Sequence, residues 1–157
     1  MENPLLELQE YENLREALKK AKGPVQATGT LDSQKVHLMY WLGKDGGFPW
    51  KLVVTYDDQR AREIYDDFRS FTEKVWLYPA KDLLFYSADI HGNLMTRQRI
   101  AVWRHLMEEE EGVVVTTLDG LMDHLLPLVF LKQQAVTVEN GQIMDLDEWK
   151  ARLTALG

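Results

Sequence analysis

Eight residues near the start of the chain have the spacing of a phosphate-binding loop. Residues 29–36 read GTLDSQKV, and a Walker A loop reads G-x-x-x-x-G-K-[ST]. Gly29 and Lys35 match that pattern. Gln34 stands where the second glycine belongs, and Val36 stands where a Ser or Thr hydroxyl would hold Mg²⁺. The spacing therefore predicts a phosphate loop that lacks two of its working parts.

The replacements oppose phosphate chemistry. In a working loop, backbone N–H groups at a helix N-terminus hold the phosphates, and the second glycine allows close approach. Gln34 places a side chain there, and Val36 offers no oxygen to a metal. Asp32 adds a charge that repels each phosphate charge by about 4 kcal/mol at roughly 4 Å and an effective dielectric constant of about 20. We therefore expect a vestigial loop (Gly29, Asp32, Gln34, Lys35, Val36) that binds no cofactor and no metal.

In a plainer interpretation, the match of residues 29–36 to the Walker A pattern is accidental. A short strand over residues 24–28, a turn at Gly29 and a helix over 32–42 capped by Asp32 or Ser33 would give the same residues. The pattern alone leaves both interpretations open.

Composition restricts the class of protein. The chain has 157 residues, of which 45% are hydrophobic, enough for an ordinary domain with a core. Its net charge of −7 argues against sequence-independent nucleic-acid binding. Cysteine is absent, so disulfides and thiol chemistry are excluded. No apolar run reaches the length of a membrane span and no signal-peptide pattern is present, so we expect a cytoplasmic protein without membrane contact.

Strand and helix patterns alternate over residues 1–127. Strand candidates are 24–28, 51–55, 74–78 and 112–116, and helical spacing is found at 5–20, 32–42, 57–71, 94–107 and 118–126. The strand candidates are continuous apolar runs, which are typical of strands buried on both faces. The alternation predicts an α/β domain, with a parallel sheet covered by helices on both faces.

The pattern changes after Pro127. Residues 134–138 alternate like an antiparallel strand, and Asn140-Gly141 is a turn signal. Asp145 or Asp147 would cap a last helix. Because a hairpin and one helix make a thin core, we interpret residues 128–157 as the truncated beginning of a second, small α+β domain.

Two further acidic positions follow predicted strands. Asp57 and Asp58 could supply the metal-binding carboxylate of a Walker B motif, and Asp119 is ambiguous in the same way. A helical pattern begins at once in both places, so helix N-caps are the preferred interpretation.

The remaining polar residues predict no catalytic group and no metal site. The histidines lack the spacing of zinc ligands, and no serine lies in a G-x-S-x-G motif. The histidines are His37, His91, His105 and His124. The 94–107 helix carries a modest basic set, which we interpret as ordinary surface charge: Arg97, Arg99, Arg104 and His105.

Longer stretches of the chain resemble a known family. The defective loop is followed by LVVTYDDQRAREIYDDF, by VWLYPAKDLLFYSADIHGNLMTRQRIAVWRHL and by GVVVTTLDGLMDHLLP. In this order they resemble the N-terminal end of the bacterial transcription-repair coupling factor (Mfd) family. Residues 77–86 are the most specific part, residues 113–126 come next, and the resemblance covers about residues 20–157.

The resemblance implies a relative of the excision-repair protein UvrB whose first domain has lost ATP binding. Residues 1–127 would be the helicase-type, P-loop-like domain (UvrB domain-1a-like), and 128–157 would begin the UvrA-binding-type domain. UvrB carries a long aromatic hairpin that handles damaged DNA, and residues 84–94 are too short for one. The parent protein would be an ATP-dependent DNA translocase, with its motor outside this chain.

The resemblance also implies a function and partners. The chain would be a non-catalytic scaffold that helps to recruit UvrA to stalled transcription complexes, with UvrA bound through the second domain. Other domains of the parent would contact it, and RNA polymerase and DNA would be reached only through the parent. Aromatic residues in 81–93, Phe85 and Tyr86 among them, would serve interdomain contacts.

Two rival functions stay open from the residues. One is a small P-loop NTPase or kinase with Lys35 on the phosphates and Asp57 or Asp119 on Mg²⁺. The other is a stand-alone regulatory binding domain.

Overall fold

A three-stranded parallel sheet in the order β1-β3-β2 is the centre of the fold. The strands are β1 (Trp50–Thr55), β2 (Val75–Tyr78) and β3 (Gly112–Thr117). Both outer strands pair in parallel with β3, and every residue of β3 is buried. A central parallel strand buried on both faces requires the continuous apolar run Val113 to Val115.

This computed structural model describes residues 2–80, 90–122, 129, 140–141 and 145–156. The chain divides into two compact units, Met1–Asp123 and His124–Gly157. The assignment of the second unit to the beginning of a UvrA-binding-type domain stays a prediction. The predicted strand 134–138 and the aromatic residues Phe85 and Tyr86 lie outside the described residues.

Helices account for most of the remaining described chain. A short 3-10 helix is followed by five α-helices in the first unit, and α6 lies in the second. The bounds are 3-10 Pro4–Glu7, α1 Gln9–Lys20, α2 Asp32–Asp45, α3 Asp58–Arg69, α4 Ile90–Glu108, α5 Leu118–Leu121 and α6 Leu146–Leu156.

Apolar side chains cover both faces of the sheet. On one face, Val36 of α2 and Phe68 of α3 pack in a cluster with Val115. On the other face, Val102 of α4 packs with Val114 and Tyr78. The predicted α/β fold with helices on both faces of a parallel sheet is therefore confirmed.

The predicted strand over residues 24–28 is wrong. These residues are irregular and take no part in the sheet. Only Val25 and Ala27 are apolar, and every residue of the segment except Val25 is exposed. Pro24 also lacks the N–H group that a sheet needs. Without a buried face, the segment has no reason to join the sheet.

Several helix boundaries also differ from the predictions. The helix expected over 5–20 is interrupted at Leu8, whose φ of −94° and ψ of 121° are extended. Asn3 caps the preceding turn, because its Oδ1 accepts a hydrogen bond from the Leu5 N–H at 2.9 Å. α2 continues to Asp45, and α4 begins at Ile90 rather than at residue 94.

A polar network attaches the start of the chain to the end of α2. The Tyr11 hydroxyl donates to Asp45 Oδ2 at 2.8 Å, and Asn3 Nδ2 donates to the same oxygen at 2.7 Å. Arg15 Nε lies 3.9 Å from that oxygen. Tyr11 is only 3% exposed and is the one buried residue of α1. The network therefore anchors α1 through its one buried side chain.

In the second unit, the start of α6 agrees with one of the two predicted caps. Asp145 precedes the helix, and its Oδ1 accepts a hydrogen bond from the Asp147 N–H at 2.9 Å. Gly141 has a φ of +89°, as expected from the Asn-Gly turn signal.

Candidate functional site

Residues 29–36 form an irregular turn followed by the first turn of α2. Gly29 has a φ of +85°, a conformation that favours glycine. The expected caps Asp32 and Ser33 are wrong by one or two positions, because Leu31 is the N-cap and Asp32 is the first helical residue. Leu31 is extended (φ −71°, ψ 154°) but has no polar atom in its side chain. The helix therefore begins without the usual side-chain acceptor.

Gln34 supplies a cap from inside the helix. Its Oε1 accepts a hydrogen bond from the Leu31 N–H at 3.3 Å. This is the role of Glu or Gln at the third helical position of a capping box. Gln34 thus accepts a hydrogen bond from an N–H group at the amino-terminal end of α2. Such N–H groups are the ones that bind anions at helix N-termini.

Lys35 is paired within the loop. Its Nζ lies 2.6 Å from Asp32 Oδ1, and Arg60 Nη2 of α3 lies 3.6 Å from the same oxygen. The hydrogen bond from Lys35, the charge of Lys35 and then that of Arg60 lower the pKa of Asp32. Side chains at 51% and 68% exposure form a weak ion pair in water. The pair still gives Lys35 an anionic partner within the chain.

Val36 belongs to the hydrophobic core. It is 1% exposed and packs in the same cluster as Phe68 and Val115. The position that would offer a hydroxyl to Mg²⁺ is therefore filled by an apolar side chain that faces the sheet, away from any solvent-borne metal.

The two candidate metal carboxylates have structural surroundings as well. Asp57 Oδ1 accepts a hydrogen bond from the Arg60 N–H at 2.7 Å, which confirms the predicted N-cap of α3. The N-cap expected at Asp119 is wrong by two positions: Thr117 is the cap of α5, because its Oγ1 accepts a hydrogen bond from the Gly120 N–H at 3.2 Å, and Asp119 lies inside the first turn.

Arg60 is the residue that the sequence pattern did not single out. It contacts Asp32 of the loop, and its Nη1 donates to Glu63 Oε2 at 2.9 Å. Its position three residues after Asp57 places it on the first turn of α3. The sequence offers no local signal for a contact with a residue 28 positions earlier. Arg60 thus joins residues 29–36 to the first turn of α3 through charge pairing.

The cleft beside the loop has the wrong lining for a nucleotide. Its volume is about 340 Å³, and Thr28, Thr30 and Gln34 contribute its loop side. Leucines of the first two helical segments form much of the rest, and Lys35 does not line it. A triphosphate needs converging cations and N–H donors. This cleft instead offers apolar surface with a few polar side chains.

The described histidine side chains pack against aromatic rings. His37 stacks on Phe71 with ring centroids 5.4 Å apart, and His105 stacks on Trp76 at 4.5 Å. Across the described parts of the chain, no group of three His, Cys, Asp or Glu residues could hold a metal. His91 and His124 lie outside the residues whose side chains are described.

Arg99 corrects the surface-charge interpretation of α4. It is 8% exposed, and its Nη1 donates to the Pro79 carbonyl at 2.9 Å. Its guanidinium lies 4.3 Å from the centroid of the Tyr78 ring. Arg99 therefore supports the carboxyl end of β2. Arg104 is exposed as predicted and pairs with Glu108 at 3.7 Å.

The described helices include none with the length and apolar composition that a membrane span requires.

Sequence comparison identifies relatives of one kind. The chain is 22% identical over 108 residues to the transcription-repair-coupling factor of Staphylococcus haemolyticus. It is 24% identical over 108 residues to that of Staphylococcus epidermidis and 22% identical to that of Staphylococcus aureus. Each alignment covers 68% of this chain and 9% of the relative. No family model matches the chain, and no solved structure matches it significantly.

These matches confirm the resemblance expected from the sequence motifs. The chain corresponds to about a tenth of the length of the curated relatives it matches. Over about two thirds of its own length, this α/β chain is similar to transcription-repair-coupling factors.

Proposed function

We propose that this chain is a non-catalytic N-terminal part of a transcription-repair coupling factor, and that it serves as a scaffold for the recruitment of UvrA. The similarity to coupling factors supports the proposal that the chain is part of such a protein. The recruiting role rests on the resemblance of residues 128–157 to the beginning of a UvrA-binding-type domain.

The structural roles of the loop residues carry the non-catalytic part of the proposal. Gln34 caps α2, Asp32 pairs with Lys35, and Val36 is in the core. Each group that would contact a phosphate or Mg²⁺ has a contact within the fold instead. A domain with these substitutions keeps the shape of a nucleotide fold while its phosphate site performs helix capping and core packing.

UvrA capture tests the recruiting role. Purified UvrA is passed over immobilised chain, and over a version extended through the whole second domain of the parent protein. Capture by the extended version, with weaker or no capture by the 157-residue chain, is the expected result. A failure of both versions to capture UvrA would remove the recruiting role and leave only the similarity to coupling factors.

The P-loop NTPase remains the alternative outcome of a separate test. Lys35 is half exposed at the amino-terminal end of α2, where the helix dipole favours anions. Saturable ATP binding that depends on Lys35 would support an enzyme, whatever the UvrA experiment gives.

A further inference from the structure

A second cleft lies at the opposite end of the strands from the vestigial loop. Its volume is about 340 Å³, and lysines from three places in the chain line it. Lys44 comes from the end of α2, Lys51 from β1, and Lys74 precedes β2. We call this the lysine cleft. Three cations around one concave site are unusual in a chain with a net charge of −7.

Lys51 is a partly buried amine without a close anion. Its pKa is lowered because burial penalises the charged form, although the more distant charge of Glu111 acts in the opposite direction. Among the described residues, no carboxylate lies within 4.0 Å of its Nζ. A buried charge is stabilised by pairing. An anion bound in the cleft would therefore stabilise the charged form of Lys51.

Lys44 lines the same cleft as Lys51, and its ammonium group lies over two aromatic rings. Its Nζ lies 5.1 Å from the Trp41 ring centroid and 5.9 Å from that of Tyr40. Cation–π contacts leave the three N–H donors available to other acceptors. Within the part of the chain that is described, Lys44 also has no carboxylate at ion-pair distance.

Lys74 forms an ion pair with the acidic residue of the cleft. Its Nζ lies 3.7 Å from Glu111 Oε1 and 3.5 Å from Glu109 Oε2. Glu111 is the acidic residue among those that line the cleft. Among the described residues, three lysines and one carboxylate line the cleft, so its lining carries a surplus of positive charge that Glu111 offsets only in part.

Gly43 makes room for Lys51 in this arrangement. A Cβ at position 43 would lie 2.6 Å from Cε of Lys51. Glycine inside a helix destabilises it by about 1 kcal/mol relative to alanine. The stem of Lys51 thus lies against the backbone of α2 at Gly43.

The rest of the lining is apolar on one side. Tyr40, Phe48 and Pro49 line the cleft, and Phe48 is 55% exposed. Clefts of roughly 300–1,000 Å³ with apolar walls and a few charged groups are typical of small-ligand sites. We propose that the lysine cleft binds a small molecule with an oxyanion group, a phosphate or a carboxylate, on an aromatic or other apolar body. This proposal goes beyond the scaffold function and does not depend on it.

Calorimetric titration with four probes tests the proposal. Phenyl phosphate and benzoate carry the two oxyanions on the same ring, inorganic phosphate lacks the ring, and phenol lacks the charge. We expect saturable binding of phenyl phosphate or benzoate, weaker binding of inorganic phosphate and none of phenol. Whichever ring-bearing anion binds more tightly identifies the oxyanion as phosphate or carboxylate.

Three variants locate the binding. Lys51→Met and Lys44→Gln should each raise the dissociation constant of the ring-bearing anion about tenfold, which corresponds to about 1.4 kcal/mol. Phe48→Ala should weaken the binding of phenyl phosphate and leave the binding of inorganic phosphate unchanged. Lys20→Gln is the matched control, because Lys20 is a 76% exposed lysine of α1 that does not line the cleft.

The same experiments can overturn the proposal. Absence of saturable binding to the wild-type chain would do so, and so would binding of equal strength in Lys44→Gln and the wild type. If Lys51→Met fails to fold, as judged by its thermal transition, the exposed position Lys44 decides the question alone.

Discussion

The ammonium group of Lys35 lies 2.6 Å from the carboxylate of Asp32, three residues earlier on the first turn of α2. In a working phosphate loop this lysine would contact phosphate oxygens. Here its partner is a carboxylate of the loop itself, and Arg60 of α3 approaches the same carboxylate. Asp32, Lys35 and Arg60 thus form an intramolecular charge cluster that joins two helices.

The first prediction concerns the missing side-chain cap of α2. Leu31 is 67% exposed at the N-cap, so its replacement forfeits little burial. Leu31→Ser would complete a capping box with Gln34, and we expect the free energy of unfolding to rise by about 0.5–1 kcal/mol. Urea unfolding measures the change. Gln34→Ala should remove part of the gain in a double-mutant cycle. A loss of stability in Leu31→Ser would contradict the observed helix start.

The second prediction concerns Val36. Val36→Thr keeps the shape of the side chain but puts a hydroxyl into a core position that is 1% exposed. We expect the free energy of unfolding to fall by about 1–3 kcal/mol. Mg²⁺ should restore none of the lost stability. Leu31→Thr is the exposed control and should not destabilise. Stabilisation of the Val36→Thr variant by Mg²⁺ would indicate a metal-binding position instead.

The sequence predicted the parts of the fold that local patterns determine. The three described strands fall within one residue of the runs 51–55, 74–78 and 112–116. Their continuous apolar composition indicates burial on both faces, which is a local signal. A cap at Asp57 or Asp58 is predictable because the carboxylates and the following helical pattern are adjacent in sequence, and Asp57 is the residue that caps α3.

The parts that it did not predict depend on distant partners. Residues 24–28 contain enough β-forming residues to suggest a strand, but nothing in their sequence reports the absence of a buried face. Arg99 is like Arg104 in sequence, yet only Arg99 faces the Tyr78 ring and the Pro79 carbonyl. The contact between Arg60 and Asp32 links two helices whose packing is set by the core.

The third prediction concerns the anchor of α1. Burial, followed by the hydrogen bond to Asp45, raises the pKa of Tyr11 from 10.0 to about 12. The folded chain therefore holds the phenol proton more tightly than the unfolded chain. The resulting stabilisation is complete below about pH 10 and is lost as the pH rises to about 12. At about 1.4 kcal/mol per pKa unit, the loss is about 2–3 kcal/mol.

Comparison with Tyr11→Phe isolates this titration from that of other groups. The variant should lose about 1–2 kcal/mol at neutral pH, because the hydrogen bond to Asp45 is absent. Its disadvantage against the wild type should shrink between about pH 10 and 12 in urea unfolding. Parallel pH profiles of the two proteins would show that the Tyr11 hydroxyl does not titrate differently on folding.

The fourth prediction concerns the amino-terminal end of β3. A Cβ on Gly112 would lie 2.8 Å from Cζ3 of Trp50 and would also collide with the ring of Trp76. The two indole rings are themselves in contact, with centroids 5.6 Å apart. Gly112→Ala should therefore destabilise by about 1–3 kcal/mol through overpacking. Gly23→Ala is the control, because no heavy atom lies within 4 Å of its Cβ position. Equal stabilities of the two variants would argue against this packing.

The fifth prediction concerns Arg99. Arg99→Lys keeps the charge but cannot reproduce a planar guanidinium that stacks on Tyr78 and donates to Pro79. We expect a loss of about 1–3 kcal/mol in unfolding free energy. Arg104 on the same helix has a side chain that is 61% exposed. Arg104→Lys should therefore change the free energy of unfolding by less than about 0.5 kcal/mol. A neutral Arg99→Lys change would mean that the side chain is not structural.

Calorimetric titration of ATP with Mg²⁺ into the folded chain shows whether residues 29–36 bind a triphosphate. We expect no saturable heat up to about 1 mM nucleotide; a dissociation constant of 1 mM corresponds to a binding free energy of only about 4 kcal/mol. Lys35→Ala should behave like the wild type. Micromolar ATP affinity that disappears in Lys35→Ala would show that the loop binds phosphate and that the chain is not a nucleotide-free scaffold.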